Sequence, residues 1–278
     1  MAKRISFLGP SGTYTEEAAT RYDPEASLVS CSTITASAQA VISGDADEAV
    51  LPIENSLGGA VAETLDLLIH QGELQIRGEI VLPIHHCIMA KHDTSPADVT
   101  VVYSHPQSLA QCRAYLAKNY PNARLIASLS NSAAVGEMQS SEETAAAIAG
   151  RRAAELYKAN VLDLDIEDNP SNATRFVVMA HTDSQPTGTD KTSLCFDFDR
   201  DAPGTLVIAL GEFANRGINL NKIESRPTRM GLGRYIFMVD IDGHRQDAKV
   251  ADALDALRGL ASMLKVLGSY PREVSSSI

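Results

Sequence analysis

The chain has 278 residues, of which 44% are hydrophobic and 21% charged, and this composition is typical of a globular protein rather than a disordered one. Its 35 acidic and 24 basic residues give a formal net charge of -11. That balance argues against a nucleic-acid-binding surface, which needs a basic face, but it does not exclude a small anionic ligand. The sequence has no run of 18 apolar residues and no apolar leader after Met1, so we expect neither a membrane span nor a signal peptide.

The first part of the chain alternates predicted strands with predicted helices. Thr13 and Glu16 form a capping box that starts the first helix. The alanine-rich segment Ser141–Lys158 predicts a helix, because alanine has the highest helix propensity. The other predicted elements are strands Arg4–Leu8, Ala49–Glu54, Glu79–Met89 and Val99–Tyr103 and helix Ala60–His70. Strands alternating with helices predict an α/β fold with a mainly parallel sheet.

A polar, Pro/Gly/Thr-containing segment, His181–Thr189, is predicted to be a linker to a second unit. The pattern after the linker is βαββαβ, the order of a ferredoxin-like split βαβ domain. Its predicted elements are strand Thr192–Phe198, helix Thr205–Arg216, strands Asn219–Glu224 and Arg234–Ile241, helix Ala248–Leu260 and strand Leu264–Leu267. Ser275–Ser277 is expected to be an irregular tail.

The four cysteines, Cys31, Cys87, Cys112 and Cys195, are isolated, with no C-x-x-C pair and no histidine at ligand spacing. We therefore expect free thiols in a reducing cytoplasm, Cys87 and Cys112 being small core residues. The pair His85-His86 lies in an apolar run without a partner at metal spacing, so a structural role is predicted. His105 is expected to serve the start of a helix.

Polar residues occupy four places where a strand ends or begins. Three of them, Gly9–Thr13, Pro52–Ser56 and Ser104–Gln107, precede a predicted helix, and the fourth is Asn172–Phe176. Each is explained on its own by ordinary capping, and the glycine loop lacks the spacing of a P-loop or a dinucleotide fingerprint. Together they predict a binding place for a carboxylate-bearing small molecule, because helix N-termini attract anions.

The same segments resemble one family when they are taken in order. Gly-Pro-x-Gly-Thr, Pro-Ile-Glu-Asn-Ser, Ser-His-Pro-Gln, Ile-Glu-Asp-x-Pro and Asn-x-Thr-Arg-Phe resemble the motifs of prephenate dehydratases. The second unit resembles the ACT regulatory domain of those enzymes, with Gly204-Thr205-Leu206-Val207 and Glu224-Ser225-Arg226-Pro227. The resemblance extends from about Arg4 to Arg272, and no chorismate mutase helix precedes the first strand, as in the monofunctional form.

This resemblance implies a two-lobed, periplasmic-binding-protein-like α/β catalytic region followed by a ferredoxin-like ACT domain. The catalytic region is expected over residues 1–182, with lobes of about 1–76 plus 163–182 and of 77–162. A linker at 183–190, the ACT domain at 191–272 and a tail at 273–278 complete the expected organisation.

The family implies conversion of prephenate to phenylpyruvate with loss of CO2 and water. Aromatisation drives the reaction, so no metal and no cofactor are expected. The Thr174 hydroxyl is assigned to the leaving ring hydroxyl as a hydrogen-bond donor, a role that contributes about 10²–10⁴-fold. The other catalytic assignments are Glu54, Asn55 and Gln107, and the substrate-binding ones are Ser11, Thr13, Ser56, Arg175 and Phe176.

The ACT resemblance implies L-phenylalanine as effector and a homodimer or homotetramer, without nucleic-acid or membrane partners. The expected effector residues are Gly204, Leu206, Val207, Asn219, Leu220, Glu224, Ser225, Arg226 and Pro227. Thr205 stands where the family usually has Ala, and Tyr14-Thr15 where it commonly has Phe-Ser. Arogenate dehydratase and a non-catalytic amino-acid sensor remain open as alternatives.

Overall fold

A computed structural model describes residues 2–199, 202–228 and 233–273. The chain divides into two compact units, residues 1–64 with 80–176 and residues 65–79 with 177–278. Up to the predicted linker the strands are β1 Arg4–Leu8, β2 Ser27–Cys31, β3 Glu48–Asn55, β4 Gly59–Ala60, β5 Gln75–Pro83, β6 Cys87–Ala90, β7 Val101–Ser104, β8 Arg124–Ala127, β9 Ala145–Ala149, β10 Asn160–Asp163 and β11 Ala173–Ala180. The helices are α1 Tyr14–Tyr22, α2 Ile34–Ile42, α3 Ala62–His70, α4 Pro106–Gln111, α5 Arg113–Asn119, α6 Asn131–Ser140 and α7 Arg151–Tyr157, with a 3₁₀ turn at Pro96–Asp98.

These strands form two sheets. The first has the order β2-β1-β3-β11-β5 with β4 beside β3, and the second has the order β10-β6-β9-β7-β8. Strand β1 is parallel to β2 and β3, and β7 is parallel to β8 and β9, whereas β6 is antiparallel to β9 and β10. The chain changes sheet between β5 and β6 and returns between β10 and β11. The predicted two-lobed α/β class, one sheet to a lobe, is confirmed.

The second unit contains the predicted βαββαβ order. Its elements are β12 Asp190–Asp197, α8 Thr205–Ala214, β13 Leu220–Pro227, β14 Tyr235–Asp242, α9 Ala248–Arg258 and β15 Met263–Pro271. The sheet order β13-β14-β12-β15 with antiparallel pairs is that of a ferredoxin-like fold. Apolar residues of both helices and of the sheet, among them Phe196, Phe213 and Leu257, form its core.

The predicted single strand Glu79–Met89 is wrong. The segment is two strands, β5 ending at Pro83 and β6 beginning at Cys87, and they belong to different sheets. Proline cannot donate to a sheet ladder, so Pro83 ends the first strand. The apolar run continues across the break because Ile84 and His86 are also buried.

The predicted helix Ser141–Lys158 is also wrong in its first half. Ala145–Ala149 is strand β9, which lies between β6 and β7, and only Arg151–Tyr157 is helical. All residues of β9, which are alanines except for Ile148, are at most 3% exposed. A strand with sheet neighbours on both sides and helices on both faces needs small apolar residues, so the tertiary packing overrides the helix propensity of alanine.

Several elements were not assigned from the sequence, namely strands β2, β4, β8 and β10 and helices α2, α5 and α6. The predicted Thr13 cap is confirmed, since its hydroxyl accepts from the Glu16 N–H. His105 is confirmed as the cap of α4, where its ring accepts from the Gln107 N–H and Pro106 takes the first helical position. The predicted domain and lobe boundaries stay predictions, and the predicted tail Ser275–Ser277 lies outside the described residues.

Candidate active site

A cavity of about 810 Å³ lies in the first unit, where loops from both sheets meet. The N-terminal residues of α1 and α6 contribute to it, and so do β11 and the loop after β1. All of its lining residues are described, and none of them is Lys, Arg, Asp or Glu. They are Leu8, Gly9, Pro10, Thr13, Tyr14, Thr15, Ser30, Cys31, Ser32, Pro52, His105, Leu129, Ser130, Asn131, Ala133, Thr174 and Phe176.

Strand β11 sends alternate side chains to opposite faces. Thr174 and Phe176 line the cavity, and Phe176 is 1% exposed. Arg175, which lies between them, is absent from this lining, and its guanidinium is 4.0 Å from the carboxylate of Glu54. The structure therefore brings Arg175 and Glu54 together as an ion pair, apart from the side chains that line the cavity.

Asn55, at the end of β3, connects Thr174 to the neighbouring loops. Its side-chain nitrogen lies 2.9 Å from the Thr174 hydroxyl and 2.8 Å from Oδ1 of Asn172. Its Oδ1 accepts from the backbone N–H groups of Leu57 and Gly58 at 3.1 and 2.7 Å. The side-chain nitrogen of Gln107 lies 3.3 Å from the same oxygen. Thus three of the four predicted catalytic residues, Thr174, Asn55 and Gln107, form one hydrogen-bonded group.

Ser56 and Ser11 do not line the cavity with their side chains in the described structure. The Ser56 hydroxyl accepts from the Ala173 N–H at 2.9 Å and donates to the carbonyl of Ser171 at 3.3 Å. The Ser11 carbonyl accepts from the hydroxyl of Ser132. Both predicted substrate contacts therefore hold neighbouring loops together, whereas Thr13 lies on the cavity wall.

The loop before α1 is held by the carboxylate of Glu16. One oxygen accepts from the Gly12 N–H at 2.5 Å, and the other accepts from the guanidinium of Arg152 at 3.1 Å. Burial opposes ionisation of this carboxyl, but the bonds to Arg152 and Gly12 outweigh it and lower the pKa of Glu16. The neighbouring carboxyl of Glu17 has its pKa raised by burial.

Several residues that the sequence analysis did not assign to the site lie where the chain passes from one sheet to the other. His86 is 1% exposed, and its Nε2 lies 2.9 Å from Oε1 of Gln111, which in turn is 3.1 Å from the side-chain nitrogen of Asn172. The other ring nitrogen of His86 lies 2.9 Å from the Tyr14 hydroxyl. Burial lowers the pKa of His86 and raises that of Tyr14 well above its ordinary value. Two signals in the sequence pointed here, the phenol of Tyr14, which departs from the family pattern, and the place of Asn172 in the Asn-x-Thr-Arg-Phe motif.

His85, Asp165 and Glu167 place one possible metal-ligand atom each within 4.8 Å of one another, a proximity that the sequence spacing did not suggest. Both oxygens of Glu167 are hydrogen-bonded, one to Nδ1 of His85 and the other to the N–H of His86, each at 2.8 Å. These bonds join the segment between β5 and β6 to the segment between β10 and β11, which agrees with the predicted structural role of the His85-His86 pair.

The predicted effector residues lie in the second unit, on α8 and β13. Gly204 precedes α8 with φ of +88°, and Val207 is 74% exposed. Arg226 donates to Oδ1 of Asp66 on α3 at 2.8 and 3.1 Å and lies 3.9 Å from the carboxylate of Glu224. Alternation along β13 turns Leu220, Glu224 and Arg226 to its half-buried face and Ser225 and Pro227 to the exposed one, while Asn219 precedes the strand and Leu206 packs against the core.

Two family models match successive parts of the chain. The prephenate dehydratase family model matches residues 5–184, and the ACT domain model matches residues 200–259. A bifunctional chorismate mutase/prephenate dehydratase from Neisseria gonorrhoeae is 43% identical over 97% of this chain and 75% of its own length. Arogenate dehydratase 2 from Petunia hybrida is 38% identical over 97% of this chain and 72% of its own length.

Two solved structures are similar over nearly the whole chain. A prephenate dehydratase from Arthrobacter aurescens, in complex with L-Phe, has a TM-score of 0.90 at 37% identity and covers 97% of this chain and 90% of its own. A protein described as a quorum quenching acylase, GqqA, has a TM-score of 0.88 at 29% identity and covers 98% of both chains. Among the helices that the structure describes, none is long and apolar enough to cross a membrane. The order of the motifs, the two-sheet region and the matches over 5–184 and 200–259 show that the chain belongs to the prephenate dehydratase family of hydro-lyases and carries an ACT domain.

Proposed function

We propose that the chain converts prephenate to phenylpyruvate, with the Thr174 hydroxyl donating to the departing ring hydroxyl. The observation that carries this assignment is the bond from Asn55 to Thr174. The side-chain nitrogen of Asn55 occupies an acceptor position of the Thr174 oxygen at 2.9 Å, so the threonine proton is left to point elsewhere. Because Thr174 lines the cavity, its position supports a hydroxyl proton that points toward a substrate bound there.

The reaction asks little more of the protein than this. The bond from the ring carbon to its carboxylate breaks and releases CO2, its electron pair forms the last ring double bond, and the ring hydroxyl leaves with its electrons. A hydrogen bond from Thr174 stabilises the negative charge that develops on that oxygen. Threonine is a weak acid at its ordinary pKa, so positioning and electrostatic stabilisation share the work with any proton transfer.

Recognition of the substrate carboxylates is proposed to rest on backbone groups and hydroxyls. The lining has no basic side chain, but it contains the first turns of α1 and α6. The N–H groups of Tyr14 and Thr15 have no acceptor within their own helix, and the same holds for those of Asn131 and Ser132 at α6. Two helix N-termini facing one cavity favour an anion.

The test is turnover of prephenate by the purified protein, followed as phenylpyruvate formation, in Thr174→Ala and in the conservative Thr174→Ser. We expect kcat of Thr174→Ala to fall by about 10²–10⁴-fold with a much smaller change in KM, and Thr174→Ser to recover part of the loss. Thr100→Ala, at an exposed position, is the matched control. Unchanged turnover in Thr174→Ala would remove Thr174 from the mechanism.

Arogenate is a second candidate substrate, favoured by the relative named arogenate dehydratase 2. It differs from prephenate by an amino group on the side chain, and the cavity contains hydroxyl oxygens, such as that of Ser130, that can accept from this group. The ratio of kcat/KM for the two substrates decides between them. If neither substrate turned over, the protein would be better described as an amino-acid sensor.

Regulation by L-phenylalanine is proposed for the ACT domain, with residues 1–182 as the catalytic region and 191–272 as the regulatory one. The relative crystallised with L-Phe supports this effector. The exposed apolar side chains of Val207, Ile208 and Ile223 favour a homodimer or homotetramer, in which they would be covered. The proposed pocket residues are those of α8 and β13 described above. Suppression of turnover by added phenylalanine is the expected result.

A cytoplasmic location is supported by the four unpaired cysteines, all of them in described segments.

A further inference from the structure

The backbone around Asn55 determines which way its amide is turned. Two peptide N–H groups, those of Leu57 and Gly58, point at one side-chain atom at 3.1 and 2.7 Å. A peptide N–H can only donate, so that atom is the oxygen of Asn55. The side-chain nitrogen of Asn55 is therefore the atom that faces Asn172, Thr174 and the carbonyl oxygen of Ala173, at 2.8, 2.9 and 3.2 Å, and it can only donate to them.

This direction passes along the next three side chains. Because Asn55 donates to Asn172, the facing atom of Asn172 is its oxygen at 2.8 Å, and its nitrogen is turned to Gln111. That nitrogen donates to Oε1 of Gln111 at 3.1 Å. The same oxygen lies 2.9 Å from Nε2 of His86, so this ring nitrogen must carry a proton. The Tyr14 hydroxyl lies 2.9 Å from the other ring nitrogen, Nδ1, and 2.7 Å from the carbonyl oxygen of His85, so its single proton faces both of these atoms.

We propose that Asn172, Gln111 and His86 are positioning residues that, together with the N–H groups of Leu57 and Gly58, hold the Asn55 amide with its nitrogen toward Thr174, so that the Thr174 proton is directed into the cavity. Asn172 and His86 are each 1% exposed, and buried polar groups without water must satisfy one another. Reversing any one of these amides would place two donors or two acceptors face to face where it meets its neighbours in the series. The predicted effect on turnover rests on the proposed function. The predicted directions of the hydrogen bonds are independent of that function.

The lowered pKa of His86, caused chiefly by its burial, is consistent with a neutral ring at pH 7. The titratable groups that face the ring are the Tyr14 hydroxyl, the carboxylate of Glu167 on its backbone N–H, and the neighbouring His85. The hydrogen-bond directions require a proton on Nε2, which the oxygen of Gln111 faces.

The first experiment reads that proton directly and does not depend on activity. Ring-nitrogen chemical shifts of ¹⁵N-histidine-labelled protein distinguish the two neutral tautomers, and the signal of His86 among the seven histidines is assigned by its loss in His86→Gln. We expect the proton on Nε2. An Nε2 without a proton would overturn the proposal, whether or not the protein turns over prephenate.

The second experiment compares two single-atom substitutions that each add a carboxylate. Gln111→Glu keeps an acceptor oxygen for both of its partners, whereas Asn172→Asp replaces a donor with an oxygen that faces the oxygen of Gln111. We expect kcat of Asn172→Asp to fall by about 10²-fold, with a much smaller change in KM, and Gln111→Glu to lose far less. Asn119→Asp, on the exposed end of α5, is the charge control.

Equal losses of kcat in Asn172→Asp and Gln111→Glu would overturn the directed series, as would wild-type kcat in Asn172→Asp. Circular dichroism checks that both variants fold, and if Asn172→Asp does not, the tautomer measurement on the wild-type protein still decides. Absence of turnover in the wild-type protein would refute the proposed function alone, since the tautomer of His86 is measured without substrate.

Discussion

Replacing Asn55 with Asp changes one atom at the centre of the site. The retained oxygen keeps the N–H groups of Leu57 and Gly58, but the lost nitrogen is the donor to Asn172 and Thr174 at 2.8 and 2.9 Å. The new carboxylate oxygen is an acceptor at the same place. The Thr174 hydroxyl is then expected to donate to this carboxylate and to turn its proton away from the cavity.

The cost in rate follows from the role that is lost. A positioned donor contributes about 10²–10⁴-fold, which is about 2.7–5.4 kcal/mol of transition-state stabilisation at 1.36 kcal/mol for each tenfold. The cost in stability is smaller, about 1–3 kcal/mol, because the Asn172 oxygen loses its donor and faces an anion. We therefore expect Asn55→Asp to fold, to bind substrate and to lose kcat by at least about 10²-fold.

The assay is steady-state turnover of prephenate for Asn55→Asp, Thr174→Ala and the double variant, with Asn119→Asp as the charge control. If both substitutions remove the same proton from the substrate, the double variant should be no slower than Thr174→Ala, a non-additive result. Losses of kcat that multiply in the double variant would refute this reasoning, as would near-wild-type kcat in Asn55→Asp.

Two further predictions concern stability and pair each variant with a neighbouring control. Gly268 has φ of +150°, and an added Cβ would lie 2.0 Å from the Ile76 carbonyl oxygen, so urea unfolding should show Gly268→Ala losing about 2–3 kcal/mol, whereas Gly72→Ala, with nothing within 4 Å, should be nearly neutral. Equal midpoints for the two variants would contradict the close approach. Glu16 has a lowered pKa in the folded protein, so the stability that its carboxylate contributes is present above its unfolded pKa of about 4.5 and is lost as pH falls through the lower folded value. Glu16→Gln should therefore lower the free energy of unfolding at pH 7, and the two proteins should become equally stable at low pH. Burial raises the pKa of Glu17, so Glu17→Gln should increase the free energy of unfolding at pH 7, the opposite of Glu16→Gln. A change of the same sign in both variants would refute the opposite pKa shifts of the two carboxyls.

Helix starts and the second unit were predictable from the sequence because they depend on neighbouring residues. The Thr13 cap needs a hydroxyl and a backbone N–H only three residues apart, and the six elements of the ACT domain follow hydrophobic periodicity with clear turns. Both were confirmed. The prediction for the alanine-rich run Ala145–Ala149 failed for the same reason, since local propensity favours a helix and only the sheet neighbours on both sides make it a strand.

The residues of the candidate site also fall into two groups, those that the sequence predicted and those that only the tertiary structure revealed. The sequence alone identified Thr174, Asn55 and Gln107, because a family motif marks residue types at fixed positions along the chain. It could not indicate that Arg175 lies outside the cavity lining beside Glu54, or that Asn172, Gln111 and His86 continue the hydrogen bonds of the site. The N–H groups of Leu57 and Gly58, which closely follow Asn55 in the chain, turn its amide locally, but Asn172, which receives a proton of that amide, is 117 residues away. The residue types and the family were thus determined by the sequence, whereas the acceptor that each donor meets was decided only by the tertiary structure, because folding alone brings residues so distant in the chain within hydrogen-bond distance.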